Sequence, residues 1–290
     1  MPELDFVAAD RLSLRELTAL LNAVYADYAV PAQRSAAQVE ASHRAFAIDL
    51  TASLVACMDG APVGVALLGV RDRRGWIGSM GVLPAWRRQG IGRRLLQQIQ
   101  VIARRLGLLH VDLEALTRNT AALALYAAAG FQMQRELLIW ERRADQGALP
   151  DPYFKLQAAD VGWALQQAPT WHDTPPCWQR QPAALAHLTD LQAVAVADAS
   201  GEPQVYLLLR PQQEGRIRLA DIGAAPGHEP RRLGRELLQG FHLRHFGVTV
   251  TLVNEPVESA WNRVFVAMGY YVIERQHEMR WPTGVASASG

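Results

Sequence analysis

Trp76-Ile77-Gly78-Ser79-Met80-Gly81-Val82-Leu83 reads as an apolar strand, stops at Pro84, turns through Arg87-Arg88-Gln89-Gly90-Ile91-Gly92 and continues as a helix to Leu106. Ile91, Leu95, Ile99, Ile102 and Leu106 recur at about the 3.6-residue period of one helix face. Glycines at a helix start let the backbone approach a ligand, and the first-turn N–H groups have no intrahelical acceptor. With the positive end of the helix dipole they suit a phosphate or pyrophosphate. Arg87, Arg88, Arg93 and Arg94 add charge around the turn. Two nucleotide motifs are excluded. No Lys-Ser/Thr pair follows the glycines, and Leu95 stands where a dinucleotide fingerprint needs its third glycine.

The 290 residues carry a net charge of +1, which speaks against a dedicated nucleic-acid binder. Lys155 is the only lysine, so arginine supplies nearly all the positive charge. Cys57 and Cys177 are too few and too far apart for a disulfide framework or a metal cluster. No basic-then-apolar segment opens the chain, and the longest apolar run, Ala61 to Val70, is too short to span a bilayer. The expectation is a cytoplasmic protein without membrane or metal, a monomer or homodimer.

Around the opening stretch, Leu4 to Ala8 reads as a strand. Ser13-Leu14-Arg15-Glu16 and Ser35-Ala36-Ala37-Gln38 read as capping boxes opening two helices, the first with Leu14, Leu17, Leu21, Val24 and Tyr28 on one face, the second reaching about Asp49. Ser53 to Met58 and Val63 to Arg71 form a hairpin across Asp59-Gly60. After the long helix come a strand from Leu108 to Leu116, a short helix from Asn119 to Gly130, and a strand from Phe131 to Glu141. The order β-α-α-β-β-β-α-β-α-β predicts an α/β fold, a mixed central sheet with helices on both faces.

Ala144 to Pro152 reads as a linker, and the second half repeats the first. A helix spans Ala159 to Gln167, and Pro169 to Pro182 is a loop rich in Pro and Trp. Strands at Val194 to Ala197, Val205 to Arg210 and Ile217 to Ile222 precede a helix marked by Leu233, Leu237 and Phe241. Val248 to Val253, Ser259 to Met268 and Tyr270 to Trp281 complete it as strand, helix and strand. Pro226, Gly234 and Gly269-Tyr270 then correspond to Pro84, Gly90 and Gly130-Phe131. The expected domains are 1–143 and 153–290, joined by 144–152.

On these residues the first half resembles the GNAT superfamily of acetyl-coenzyme A-dependent N-acetyltransferases. Arg87 to Gly92 matches the family's R/Q-x-x-G-x-G/A loop, and Met80-Gly81-Val82-Leu83-Pro84 its splayed central strand. Glu114, Asn119, Tyr126 and Gly130-Phe131 match at the spacing of its N-terminal-amine acetyltransferases. The resemblance implies a coenzyme pyrophosphate on the N–H groups from Arg88 through Gln89, Gly90, Ile91 and Gly92 to Arg93, with Arg87 beside them. Pantetheine would pair with Met80, Gly81 and Val82, the Val82 N–H would polarise the thioester, and Asn119 would hold the arm. Tyr126 would protonate the thiolate, and Glu114, Asp112 or a water would take the proton of an amine from a small molecule or a peptide N-terminus. A non-catalytic acyl-coenzyme A sensor is the alternative, though it would not need Glu114 and Tyr126.

The second half departs from that pattern. Glu236 puts a carboxylate at the phosphate site, Phe265 replaces the tyrosine, Glu258 the asparagine and Val253 the glutamate, with Asn254 off register. It reads as a degenerate copy. His242 and His245 lack a third metal ligand in reach by sequence, Trp171-His172 and Cys177-Trp178 read as inter-domain packing, and Tyr25, Tyr28 and the loop to Pro31 occupy the family's acceptor side.

Overall fold

The structure, a computed structural model, describes residues 3–27, 33–147, 149–198, 200–213, 215–227 and 231–285. The chain divides into two compact units, Met1–Gln134 with His277–Gly290, and Arg135–Gln276.

The first unit runs β1 (Leu4–Ala8), α1 (Leu14–Val24), α2 (Ala36–Ala45), β2 (Leu54–Met58), β3 (Ala61–Arg71), β4 (Arg74–Val82), α3 (Ile91–Arg105), β5 (His110–Leu116) and α4 (Thr120–Ala128). Both capping boxes form, Ser13 with Glu16 and Ser35 with Gln38. Asp59 and Gly60 take φ of 48° and 79°, the left-handed pair a two-residue hairpin turn requires. The strands lie in the order β1-β2-β3-β4-β5, antiparallel except for the parallel β4–β5 pair. Every residue of β2 is buried because both faces of the sheet are covered. Val55, Cys57, Val65 and Leu67 pack under α1 and α2; Leu54, Ala56, Ala66 and Leu68 pack under α3. On α3 the core takes Leu96 and Ala103 besides the expected Leu95 and Ile99, while Leu106 caps the helix 48% exposed.

One irregularity shapes the site. β4 pairs with β5 only from Arg74 to Trp76, against His110 to Asp112, and then diverges while staying on β3 as far as Val82. The register slips between Leu67 and Leu68, which leaves Gly78 as an extra bulged residue. A Cβ at Gly78 would stand 2.2 Å from the Trp76 ring, so only glycine lets that indole fold across the strand.

The second unit holds β6 (Gln132–Arg142), β7 (Gln157–Ala159), α5 (Val161–Trp171), α6 (Pro182–Leu185), β8 (Gln192–Ala197), β9 (Pro203–Pro211), β10 (Arg216–Ala224), α7 (Arg231–Arg244), β11 (Thr249–Pro256), α8 (Trp261–Ala267) and β12 (Tyr271–Pro282), the ends of β6 and β12 excepted. Its strands follow the order β6-β11-β10-β9-β8-β7. Helix α5 runs through Pro169 to Trp171, past its expected end. The Trp171 ring anchors that last turn, 5.5 Å from Trp163 and 5.7 Å from Tyr206. Trp163 and Trp171 thus pack with Tyr206 on a hydrophobic cluster of the second unit.

The contact division parts from the linear one at two strands. Leu138 and Trp140 of β6 lie in the core of the second unit, and Met279 and Trp281 of β12 in the core of the first. Residues 144–147 and 149–152 likewise fall inside the second unit, where the Gly147 carbonyl accepts from Arg142 at 2.7 Å. The two halves repeat one plan, so each final strand alternates in a way that suits either core. No described helix is long and apolar enough to cross a membrane.

Candidate active site

Where β4 leaves β5, one edge of its backbone opens. The Leu83 N–H donates to the Val63 carbonyl at 2.8 Å, which fixes the alternation: Met80 and Val82 turn their N–H and C=O away from β3. The Tyr25 hydroxyl sits on that edge, accepting from the Met80 N–H at 3.0 Å and donating to its carbonyl at 3.1 Å. The Val82 carbonyl accepts from Arg87 Nε at 3.0 Å, and its N–H faces the opening.

The loop beyond is strained in a useful way. Arg88 and Gly90 take φ of 64° and 80°, and left-handed residues alternating with ordinary ones turn successive N–H groups toward one side. Gly90 caps α3, whose first turn holds no acidic residue. A Cβ at Gly90 would meet nothing within 4 Å, so the space there is open, whereas one at Gly92 would touch Leu125 at 3.5 Å and Met80 and Val82 at 3.9 Å. Arg87 is committed elsewhere: its guanidinium holds Asp27 at 2.6 and 2.8 Å and the Val24 carbonyl at 3.0 Å. That pair keeps the exposed Asp27 carboxyl below the usual range and ties the end of α1 to the cleft rim.

Opposite the loop, Asn119 caps α4 by accepting from the Ala122 N–H at 3.2 Å. About two helix turns later Tyr126 is 9% exposed, its ring 5.8 Å from Phe131. Together these parts enclose a cleft of about 850 Å³. Of the residues expected from sequence it gathers Met80, Gly81, Val82, Arg87, Arg88, Gly90, Ile91, Gly92, Arg93, Asn119 and Tyr126. Sequence reasoning passed over Trp86 and Arg118, which also line it; each adjoins a matched motif without being part of it. Gln89 and Glu114 are not on its wall. Gln89 donates to the Ala85 carbonyl at 3.4 Å, and Glu114 accepts from Trp76 Nε1 at 2.7 Å. Asp112 is held at 2.7 and 3.0 Å by Arg280. Burial disfavours its charge, but hydrogen bonds from His110 and Arg280 outweigh that and keep the carboxyl below its ordinary range, which makes it a weak base. Tyr25 lines the cleft as expected, whereas Tyr28 and Pro31 lie outside the described residues.

Residues 17–131 match the acetyltransferase (GNAT) family. They form a GNAT-family domain. A stretch of 54 residues is 50% identical to the N-alpha-acetyltransferase RimI of Mycobacterium tuberculosis, covering 19% of this chain and 32% of that protein. The chain thus matches about a third of that relative's length. The fold is similar to a GCN5-related N-acetyltransferase from Sphaerobacter thermophilus, with TM-score 0.73, 17% identity and coverage of 97% of this chain and 96% of that one. It is also similar to a tandem GNAT protein from the clavulanic acid biosynthesis pathway, with TM-score 0.71, 18% identity and coverage of 98% and 100%.

The second unit repeats the GNAT strand plan but fills its opening. β10 pairs with β11 from Arg216 to Leu219, against Thr249 to Leu252, and then diverges. Arg180 bridges the gap, its guanidinium paired with Asp221 of β10 at 3.1 Å and with Glu255 of β11. Trp261 lies against Gly234, its ring 2.6 Å from where a Cβ would stand, so α8 closes on α7. Glu236 accepts the N–H groups of Tyr153 at 2.5 Å and Phe154 at 3.2 Å. Phe265 is fully buried 5.8 Å from Trp140. His242 pairs with the Tyr270 hydroxyl at 2.9 Å, and no group of three or more His, Cys, Asp or Glu placed to hold a metal occurs among the described residues.

Proposed function

We propose that the GNAT domain transfers an acetyl group from acetyl-coenzyme A to a primary amine, of a small molecule or a peptide N-terminus, by direct attack. One observation carries this reading: a single cleft gathers the open β4 edge, the glycine loop and the Asn119–Tyr126 face of α4. The fit to the coenzyme rests on the turn at Gly90, which meets open space and leads into a first helical turn without a carboxylate. The bound coenzyme supplies an activated thioester. Loop N–H groups from Arg88 to Arg93 hold its phosphates, and the Val82 N–H offers a donor to the thioester oxygen. Asn119 orients the arm while capping its helix. Tyr126 gives a proton to the departing sulfur, and Glu114, off the cleft wall, takes the amine proton through water. Among the described residues no cysteine or serine lines the cleft, which supports direct attack over an acyl-enzyme. The N-alpha-acetyltransferase likeness puts peptide α-amines first among acceptors to try.

The test is thiol release from acetyl-coenzyme A against a panel of amines, small molecules and short peptides alike, beside calorimetric titration of the coenzyme. The expected result is one coenzyme per chain and turnover with one acceptor class. Binding without turnover on every amine would leave a sensor, and two equivalent sites per chain would contradict the reading of the second unit as degenerate.

A further inference from the structure

Past Trp76 the backbone of β4 pairs no further with β5. A residue facing outward on such an edge presents one N–H donor and one C=O acceptor, and an added strand satisfies both. At Met80 a single side chain does so instead. The Tyr25 hydroxyl accepts from the Met80 N–H at 3.0 Å and donates to the Met80 carbonyl at 3.1 Å, so one phenol replaces both bonds of a strand partner. Tyr25 and Met80 both line the cleft.

The chain on either side of this tyrosine is pinned. Tyr25 is the C-cap of α1, and Arg87 holds the Val24 carbonyl before it at 3.0 Å and the Asp27 carboxylate after it at 2.6 and 2.8 Å. The same guanidinium group donates through Nε to the Val82 carbonyl at 3.0 Å, and a Cβ at Gly81 would stand 3.0 Å from Val24. The end of α1 therefore lies directly on β4, and Tyr25 leaves Met80 by turning its side chain rather than by moving the helix. The coenzyme puts a second claimant on the same groups. Pantetheine is a chain of amides, and an amide laid along β4 needs the outward N–H and C=O that Tyr25 holds. Resting on the acetyl-coenzyme A reading of the cleft, we propose that Tyr25 is an intramolecular competitor for the coenzyme arm. Its hydroxyl closes the Met80 edge in the free protein, acetyl-coenzyme A binds by displacing it, and affinity is lower by the bonds that must be broken.

Calorimetry of the full chain tests this in wild type and Tyr25→Phe, with acetyl-coenzyme A and with 3′-phosphoadenosine 5′-diphosphate, the coenzyme without its arm. Losing the hydroxyl should tighten acetyl-coenzyme A by about fivefold, the scale of one net hydrogen bond, and leave the armless nucleotide unchanged. With 3-fluorotyrosine in the chain, the ¹⁹F signal that Tyr25→Phe lacks should move when acetyl-coenzyme A saturates the protein and stay in place with the armless nucleotide. Equal or weaker acetyl-coenzyme A binding by Tyr25→Phe, tightening of both ligands alike, or an unmoved Tyr25 signal would each overturn the proposal alone. A wild type that binds neither ligand would overturn the acetyl-coenzyme A reading itself, and the proposal with it.

Discussion

Tyr126 is the residue on which the proposed chemistry turns. The contact of its ring with Phe131 does not need the hydroxyl, so Tyr126→Phe removes the proposed proton donor while keeping that packing. Turnover should fall by about 10²-fold or more, the usual scale of a general acid, with coenzyme affinity unchanged. Steady-state rates beside calorimetry check this, and equal turnover would remove Tyr126 from the mechanism. His242 predicts a pH effect of known sign. Burial, with Arg142 and His245 nearby, pushes its pKa down to about 3. Between that value and the ordinary histidine range the unfolded chain binds a proton that the folded one refuses. Stability is therefore intact near neutrality and lost as pH falls, by about 1.4 kcal/mol per pH unit for one full proton. Urea melts at pH 7 and pH 5 should show this loss reduced in His242→Gln relative to wild type.

At the scale of elements, the loop and first turn of α3 make the proposed phosphate site, and the two glycines would contribute differently. Gly90 is left-handed, so any side chain there strains the backbone as well as entering the site, at about 1–2 kcal/mol. Gly92 is not left-handed and a Cβ there would make only ordinary contacts, 3.5 Å from Leu125 and 3.9 Å from Met80 and Val82, so Gly92→Glu adds charge and bulk without backbone strain. Gly92→Glu should abolish acetyl-coenzyme A binding in calorimetry while thermal unfolding stays cooperative. Retained affinity would place the coenzyme elsewhere.

For the whole chain, the last strand matters more than its position suggests. Met279 and Trp281 complete the first unit's core beside Phe131, the Arg104 guanidinium lies 4.7 Å from the Trp281 ring, Arg280 neutralises Asp112, and the Thr283 hydroxyl donates to the Leu109 carbonyl at 3.1 Å. Removing His277–Gly290 leaves every proposed site residue in place. It should nevertheless lower the first unit's melting temperature and weaken coenzyme binding, because Phe131 supports Tyr126. Calorimetric melts of the shortened and full chains decide it, and identical melting would mean the strand end contributes nothing.

The sequence by itself determined what depends on neighbours along the chain. Capping boxes, the Asp59-Gly60 hairpin, the apolar stripe of α3 and the glycine loop are each set by residues within a few positions, and all were legible. So was the repeat, because Pro226, Gly234 and Gly269 recur at matching places. The tertiary structure decided what depends on partners far away in sequence. Arg87, read as charge for a phosphate, spends itself on Asp27, sixty residues earlier. Glu114 meets Trp76 only because Gly78 bulges. Arg180 fills the second unit's opening from a segment that looks like a loop. Which core receives β6 and which the end of β12 was least legible, since Trp140 and Trp281 alternate alike and only packing against distant strands distinguishes them.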